Sequence, residues 1–313
     1  MRRILLSMES DMDKSKINTN IPIVGGPCSA ESREQMRYLG EWAAKQGWRR
    51  FRAGIWKPRT KPGGFEGMGE QALEWLVEIQ EEFQLKGITE VATAGQAEKV
   101  LKAGLSGFWV GARTTGNPFY VQEIADVVQG APIEVWVKNP IHPDLAHWEG
   151  AIERFQKSEV QDVRAIHRGF YAFRTSVYRN SPMWSIPLGL KKTFPQLEMY
   201  CDISHIAGNV KLLPELARQA RHLDFEGLMI EIHNQPERAL TDAHQQIHPV
   251  NLPQLVEHWN HAGTTSQKEM DEILRQEKKN WNSAIQSEIE RLVRFKKNIP
   301  DQMRELNPDD SIS

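Results

Sequence analysis

From residue 21 to about residue 262, short apolar runs alternate with longer stretches whose apolar residues recur at helical spacing. The runs are IPIVGGP (21–27), RRFRAG (49–54), GITEVA (87–92), GFWVGA (107–112), IEVWVKN (133–139), VRAIHRGF (163–170), LEMYCDIS (197–204) and GLMIEIH (227–233). Each reads as a strand. Between them, SREQMRYLGEWAAKQG and GEQALEWLVEIQEEF carry apolar positions on one face and read as helices. TAGQAEKVLKAG opens on Thr93, a suitable cap, and stops at Gly104. Strands alternating with helices in this number predict an α/β chain folded as a (β/α)8 barrel. A doubly wound sheet is the alternative; the strand count and the lack of a GxGxxG fingerprint disfavour it.

The ends differ from this pattern. Residues 1–20 are polar without clear periodicity, so they read as a short arm. After residue 262 the pattern becomes strongly helical, with Met270, Ile273, Leu274, Trp281, Ile285, Ile289, Leu292 and Val293 on one apolar stripe, until Pro300 ends it. The division expected is an arm (1–20), a barrel (21–262) and a helical tail (263–313). At 313 residues and 40% hydrophobic, the chain can bury the large core that one barrel requires. A net charge of −2 supplies no global field for nucleic acid or an anionic membrane. Cys28 and Cys201 are too few for a disulfide framework and suit a reducing compartment. The opening MRRILLSMESDMDKSK is too polar for a secretory signal, and no apolar run reaches the roughly 18 residues of a membrane span. A soluble cytoplasmic protein is expected.

In a barrel, groups at the carboxyl ends of the strands converge on one rim. Cys28, Arg52, Glu90, Arg113, Lys138, Arg168, His205 and Glu231 lie at or just after successive runs, and Asp242 follows in ALTDAHQQ. A thiol, an imidazole and two carboxylates together suit a borderline divalent ion. Singly, Cys28 reads as a buried apolar residue, His205 as a hydrogen-bonded core histidine and Asp242 as a helix cap. In RAGIWKPRTKPGGFEG, Arg59 can grip a phosphate and Thr60 can add a donor. Lys138 lies among apolar neighbours and must meet an anion or shift its pKa. Ion pairing with Glu90, Asp202 and Glu231 is the alternative for these cations, but the acids run short once a metal takes two. HRGF adds His167 beside Arg168, and His233 could assist proton transfer or brace the site. One metal within a ring of cations points to substrates with several negative charges.

GPCSAES, RAGIWKPRTKPGGFEG, TEVATA, VGARTTGNPF, VQEIADVVQG, VKNP, AIHRGF with YRNSP, CDISH and IEIHNQPERALTDAHQQ resemble the 3-deoxy-7-phosphoheptulonate (DAHP) synthase family. They run in the family's order from about residue 21 to 250, and the pattern is closest to its short-barrel branch, often fused to chorismate mutase. The resemblance implies condensation of phosphoenolpyruvate with erythrose 4-phosphate to 3-deoxy-D-arabino-heptulosonate 7-phosphate and phosphate. This is the first step of the shikimate pathway to chorismate and the aromatic amino acids. By motif it assigns one divalent ion (Mn, Fe, Zn or Co) to Cys28, His205, Glu231 and Asp242. Phosphoenolpyruvate falls to Arg52, Lys57, Arg113, Lys138 and Arg168, and erythrose 4-phosphate to Lys57, Pro58, Arg59 and Thr60. Lys138 is the candidate proton donor to the aldehyde oxygen, with His233 in reserve. KPRT separates this family from the 3-deoxy-octulosonate 8-phosphate synthases, which use arabinose 5-phosphate and form one alternative; a non-catalytic phosphometabolite sensor is the other.

Ile203 and Ile232 stand where the family usually has proline and serine. The tail holds one long helix where a fused mutase has three, so it reads as a remnant or linker rather than a full mutase domain. The implied partners are phosphorylated small molecules, not nucleic acid or membrane. A homo-oligomer, dimer or tetramer, is expected, with the apolar stripe packing on the barrel or on another subunit.

Overall fold

The computed structural model of the protein describes residues 21–57, 63–172, 177–262 and 266–297. Eight parallel strands close into a barrel in chain order: β1 (Ile23–Gly26), β2 (Arg50–Arg52), β3 (Lys86–Val91), β4 (Gly107–Val110), β5 (Glu134–Lys138), β6 (Asp162–His167), β7 (Met199–Asp202) and β8 (Gly227–Glu231). β1 pairs with β8 and sets Gly26 opposite Glu231. The expected barrel is therefore the observed one.

The period of two along each strand sorts side chains between two cores. Val24, Ile88, Trp109, Trp136, Ile166, Tyr200 and Met229 fill the lumen. β2 has no member of that set. Phe51 faces the outer core, so Arg50 and Arg52 face inward on either side of it. Arg52 therefore points into the upper lumen and Arg50 into the lower. The amino-terminal mouth is closed by charge: Arg50 Nε donates to Glu134 Oε2 at 2.8 Å, Lys86 Nζ to Oε1 at 2.5 Å, and Arg164 Nη1 lies 3.2 Å from Oε2. The Arg50 and Arg164 guanidiniums lie 5.3 Å and 5.1 Å from the Trp136 ring centroid, so the plug is stacked as well as paired.

The outer core lies between the strands and the surrounding helices. These are α1 (Arg33–Lys45), α2 (Glu70–Phe83), α3 (Ala94–Lys102), α4 (Ala112–Thr115), α5 (Pro118–Val127), α6 (Leu145–Lys157), α7 (Ser185–Thr193), α8 (Ile203–Ala207), α9 (Leu213–His222) and α10 (Leu252–His261). Thr93 caps α3 as expected, accepting from Gln96 N at 3.3 Å. Buried aliphatic and aromatic side chains such as Leu39, Phe51 and Trp148 each contribute roughly 1.5–3 kcal/mol to this packing.

The tail forms α11 (Gln267–Lys297). Its predicted single stripe is divided. Met270, Ile273 and Leu274 pack against the outer core. Glu277 then accepts from Trp184 N at 2.6 Å and Ser185 N at 3.4 Å, supplying α7 with the cap its own sequence lacks. Beyond that tether Trp281, Ile285, Ile289, Leu292 and Val293 are exposed. Among the described residues, no helix is long and apolar enough to cross a membrane.

Candidate active site

Two loops from opposite ends of the sequence are stitched together at the carboxyl-terminal mouth. Cys28 follows β1; its backbone N donates to Gln246 Oε1 at 3.0 Å, and Gln246 Nε2 donates to Thr241 O at 2.8 Å. Ser29 Oγ lies 2.7 Å from Thr241 Oγ1, and Leu240 N donates to Glu31 Oε1 at 2.8 Å. β1 approaches β2 so closely here that a Cβ on Gly26 would stand 1.8 Å from the Arg52 carbonyl oxygen, so only glycine fits.

This stitching brings Cys28 Sγ to 3.6 Å from Asp242 Oδ2. Across the mouth, His205 Nε2 lies 3.8 Å from Glu231 Oε1. The expected ligands thus stand as two close pairs; among the described residues no three His, Cys, Asp or Glu side chains are grouped tightly enough to hold an ion as placed. The chemistry of the donors still fits one. His205 Nδ1 lies 2.8 Å from Asp202 Oδ2, a contact that favours the proton on Nδ1 and a lone pair on Nε2. That lone pair faces a carboxylate oxygen, an acceptor opposite an acceptor. Burial lowers the imidazole pKa, against the pull of Asp202, and so favours the neutral ring. Burial and then Glu231 push the Cys28 thiol up to about 12, against Lys57 and Arg52.

Cations ring this centre. Lys57 Nζ donates to Cys28 O at 3.0 Å and to Sγ at 3.3 Å. Arg52 Nη1 is 3.1 Å from Glu231 Oε1. Burial opposes the Glu231 charge, but His205, Arg52 and Lys57 hold its pKa down at about 2. Lys138 Nζ donates to Asp202 Oδ2 at 2.8 Å, and Asp202 Oδ1 accepts from His205 N at 3.1 Å. Lys138 and Arg52 therefore have the acids that sequence reasoning expected to run out. Asp202 serves Lys138 and His205 together, and Glu231 faces Arg52 and His205 together.

Arg168 is set by Asn139, whose Oδ1 accepts from its N at 2.7 Å, and by Asn180, whose Oδ1 accepts from Nη1 at 2.8 Å. Burial lowers its pKa to about 10, with Arg179 and Arg113 adding to the effect and Asp202 opposing it. Arg168 and Arg113, which repel each other, make a ready seat for an anion. Arg113 sits exposed on α4, just past β4.

His167 does not join the site. It is fully buried among Trp148, Phe170, Trp184 and Phe225 on the outer side of the barrel, because alternation along β6 turns it away from the lumen. His233 is nearly buried, with Nδ1 accepting from Gln235 N at 2.9 Å and Nε2 3.4 Å from Glu31 Oε2. Of the residues expected to hold erythrose 4-phosphate, Lys57 is placed as above; Pro58, Arg59 and Thr60 lie outside the described residues. Sequence reasoning gave no role to Arg179, Gln245 or Gln246. YRNSP and DAHQQ contained them, but nothing local marked which neutral amide or which further arginine would face inward.

The model of the DAHP synthetase I family matches residues 11–268. A curated relative, phospho-2-dehydro-3-deoxyheptonate aldolase of Thermotoga maritima, is 27% identical over 238 residues, which covers 76% of this chain and 68% of that protein. Among solved structures, phospho-2-dehydro-3-deoxyheptonate aldolase (DAHP synthase) from Thermotoga maritima superposes with a TM-score of 0.69 at 24% identity, covering 80% of this chain and 72% of the other. A truncated form of 3-deoxy-D-arabino-heptulosonate 7-phosphate synthase from the same organism gives 0.67 at 22% identity, covering 80% and 90%. At these identities the two structures bear on the fold alone.

Proposed function

This chain belongs to the DAHP synthetase I family, and from that premise we propose that its barrel condenses phosphoenolpyruvate with erythrose 4-phosphate and releases phosphate. The observation that carries the reading is the ring of Arg52, Lys57, Lys138 and Arg168 around one acid, thiol and imidazole centre. Two phosphorylated reactants repel each other, and fixed guanidinium and ammonium groups offset that repulsion without reorganising. Arg168 and Arg113 fit the phosphate of phosphoenolpyruvate, with Lys138, Arg52 and Lys57 toward its carboxylate and C2. The loop that starts at Lys57 would receive the aldose phosphate through Arg59 and Thr60.

In the reaction, C3 of phosphoenolpyruvate attacks the aldehyde carbon. Lys138 delivers a proton to the aldehyde oxygen, and Asp202 holds its Nζ in place. Positive charge developing at C2 takes up water, and phosphate leaves by C–O cleavage, so the elements of one water enter for each phosphate released. Cys28, His205, Glu231 and Asp242 are the residues that would hold a divalent ion, which when bound supplies Lewis acidity toward the aldehyde oxygen. The His205 lone pair facing Glu231 supports that assignment.

The test is phosphate release from the purified protein with phosphoenolpyruvate, erythrose 4-phosphate and Mn²⁺. Release that needs both substrates and the ion is expected. Tight phosphoenolpyruvate binding without release would replace the enzyme by a sensor, and preference for arabinose 5-phosphate would make it an octulosonate synthase. Cys28→Ala is expected to lower turnover by at least about 100-fold, or about 2.7 kcal/mol, together with bound metal; full metal content in that variant removes Cys28 from the ligand set.

A further inference from the structure

Each carboxylate in the proposed ligand set has two oxygens of equal chemistry. In both, one is already committed. Asp242 Oδ1 accepts from Arg179 Nη1 at 3.0 Å, which leaves Oδ2 toward Cys28 Sγ. Glu231 Oε2 accepts from Gln245 Nε2 at 2.5 Å, which leaves Oε1 toward His205, with the Arg52 guanidinium 3.1 Å from the same oxygen. The two commitments meet, because the same Arg179 Nη1 donates to Gln245 Oε1 at 2.6 Å.

The orientation of the Gln245 amide is forced. Turned over, its NH2 would face a guanidinium and its carbonyl a carboxylate, two repulsions in place of two bonds. Gln245 is almost completely buried, so no water replaces a lost partner. Arg179 is fixed in turn. Its backbone N donates to Ala207 O at 3.2 Å, at the end of the helix that carries His205. The next residue is Gly208, with φ of 67°, where an added Cβ would come within 2.5 Å of Arg179 Cβ. Asp242 itself takes the left-handed backbone at φ 46° and ψ 42°, which a side-chain tether can hold against relaxation.

We propose that Arg179 and Gln245 are positioning residues that choose which oxygen of Asp242 and of Glu231 is offered to the metal. This rests on the metal reading above. Neither side chain touches a substrate in this role. They act through the carboxylates, so their loss lowers affinity for the ion rather than removing a ligand.

The probe is Co²⁺ titrated into the full-length chelator-stripped protein, read by the thiolate-to-cobalt absorption band and by competition with a chelator. The wild type should show the band, and Cys28→Ser should lose it. Arg179→Gln and Gln245→Leu should each keep the band yet raise the Co²⁺ Kd about 10–100-fold. Arg179→Lys should recover part of the loss. Removing Gln245 should cost less in the Arg179→Gln background than in wild type, because one arm of the tether is shared. A Kd within twofold of wild type in folded Arg179→Gln and Gln245→Leu overturns the proposal while leaving the metal reading intact. Absence of Co²⁺ binding to the wild type overturns both. Should Gln245→Leu fail to fold, the partly exposed Arg179 decides through its own variants.

Discussion

Trp109 lies in the lumen under two cations, with the Arg52 guanidinium 4.7 Å and the Lys138 ammonium 5.4 Å from its ring centroid, and its Nε1 donates to Glu90 Oε2 at 3.2 Å. The ring shields one side of the Lys138–Asp202 pair from water, and that makes the pair hard to break singly. Lys138→Met should cost about 3 kcal/mol, because it leaves Asp202 buried without its ammonium. The expected fall in Tm is about 6 °C or more. Lys138→Arg should restore most of the stability but not the turnover; equal Tm for Met and wild type would deny the pair its structural role. The need of Lys138 for an anion was evident from its apolar neighbours alone. The identity of that anion was not, since Asp202 looked like one acid for one cation. The Arg179–Gln245 tether was harder still. A neutral amide gives no charge signal, and its partners arrive from Glu231 and from a loop on another strand.

Along single elements, the apolar runs located every strand but overshot every carboxyl end. In GFWVGA the pairing stops at Val110 and Ala112 already begins α4. Such residues stay buried in rim loops, so their hydropathy continues the strand pattern after the ladder has ended. β2 illustrates the reverse. Its period of two sends Arg50 and Arg52 to the same lumen, one to each mouth, and only the structure reveals that the lower mouth is an ionic plug. Burial works against the Glu134 charge, yet Arg50, Lys86 and Arg164 hold its pKa down at about 2 from a usual 4.5. A depressed carboxylate stabilises fully above its unfolded pKa and loses that stability as pH falls through the folded one. Discounted for solvent around Lys86, the effect is about 2 kcal/mol, lost between about pH 4.5 and 2. Glu134→Gln should flatten that part of the acid-unfolding curve; an unchanged curve assigns the loss to other groups. The α11 stripe was visible as a stripe, but where the helix leaves the barrel depends on Glu277 capping α7. Glu277→Ala should cost about 1 kcal/mol in denaturant unfolding, and no change would make that cap incidental.

For the molecule as a whole, among the described residues no apolar side chain of α11 beyond Glu277 joins the outer core. Deleting residues 278–313 should leave Tm and turnover close to wild type. Through its exposed apolar side chains it should instead govern association, and light scattering after gel filtration should show a smaller assembly at equal concentration. Unchanged mass would place subunit contacts elsewhere. The barrel itself closes by pairing its first strand with its last, and the Cys28–Gln246 bond that shapes the mouth spans 218 residues of chain. A ribosome adding about 5–20 residues per second takes roughly 10–45 s to cross that interval. Until then the nascent thiol has neither carboxylate beside it, and the growing sheet keeps open edges. The proposed ion site would therefore form only in the closed barrel, and open sheet edges during synthesis are the consequence of joining the chain's two ends.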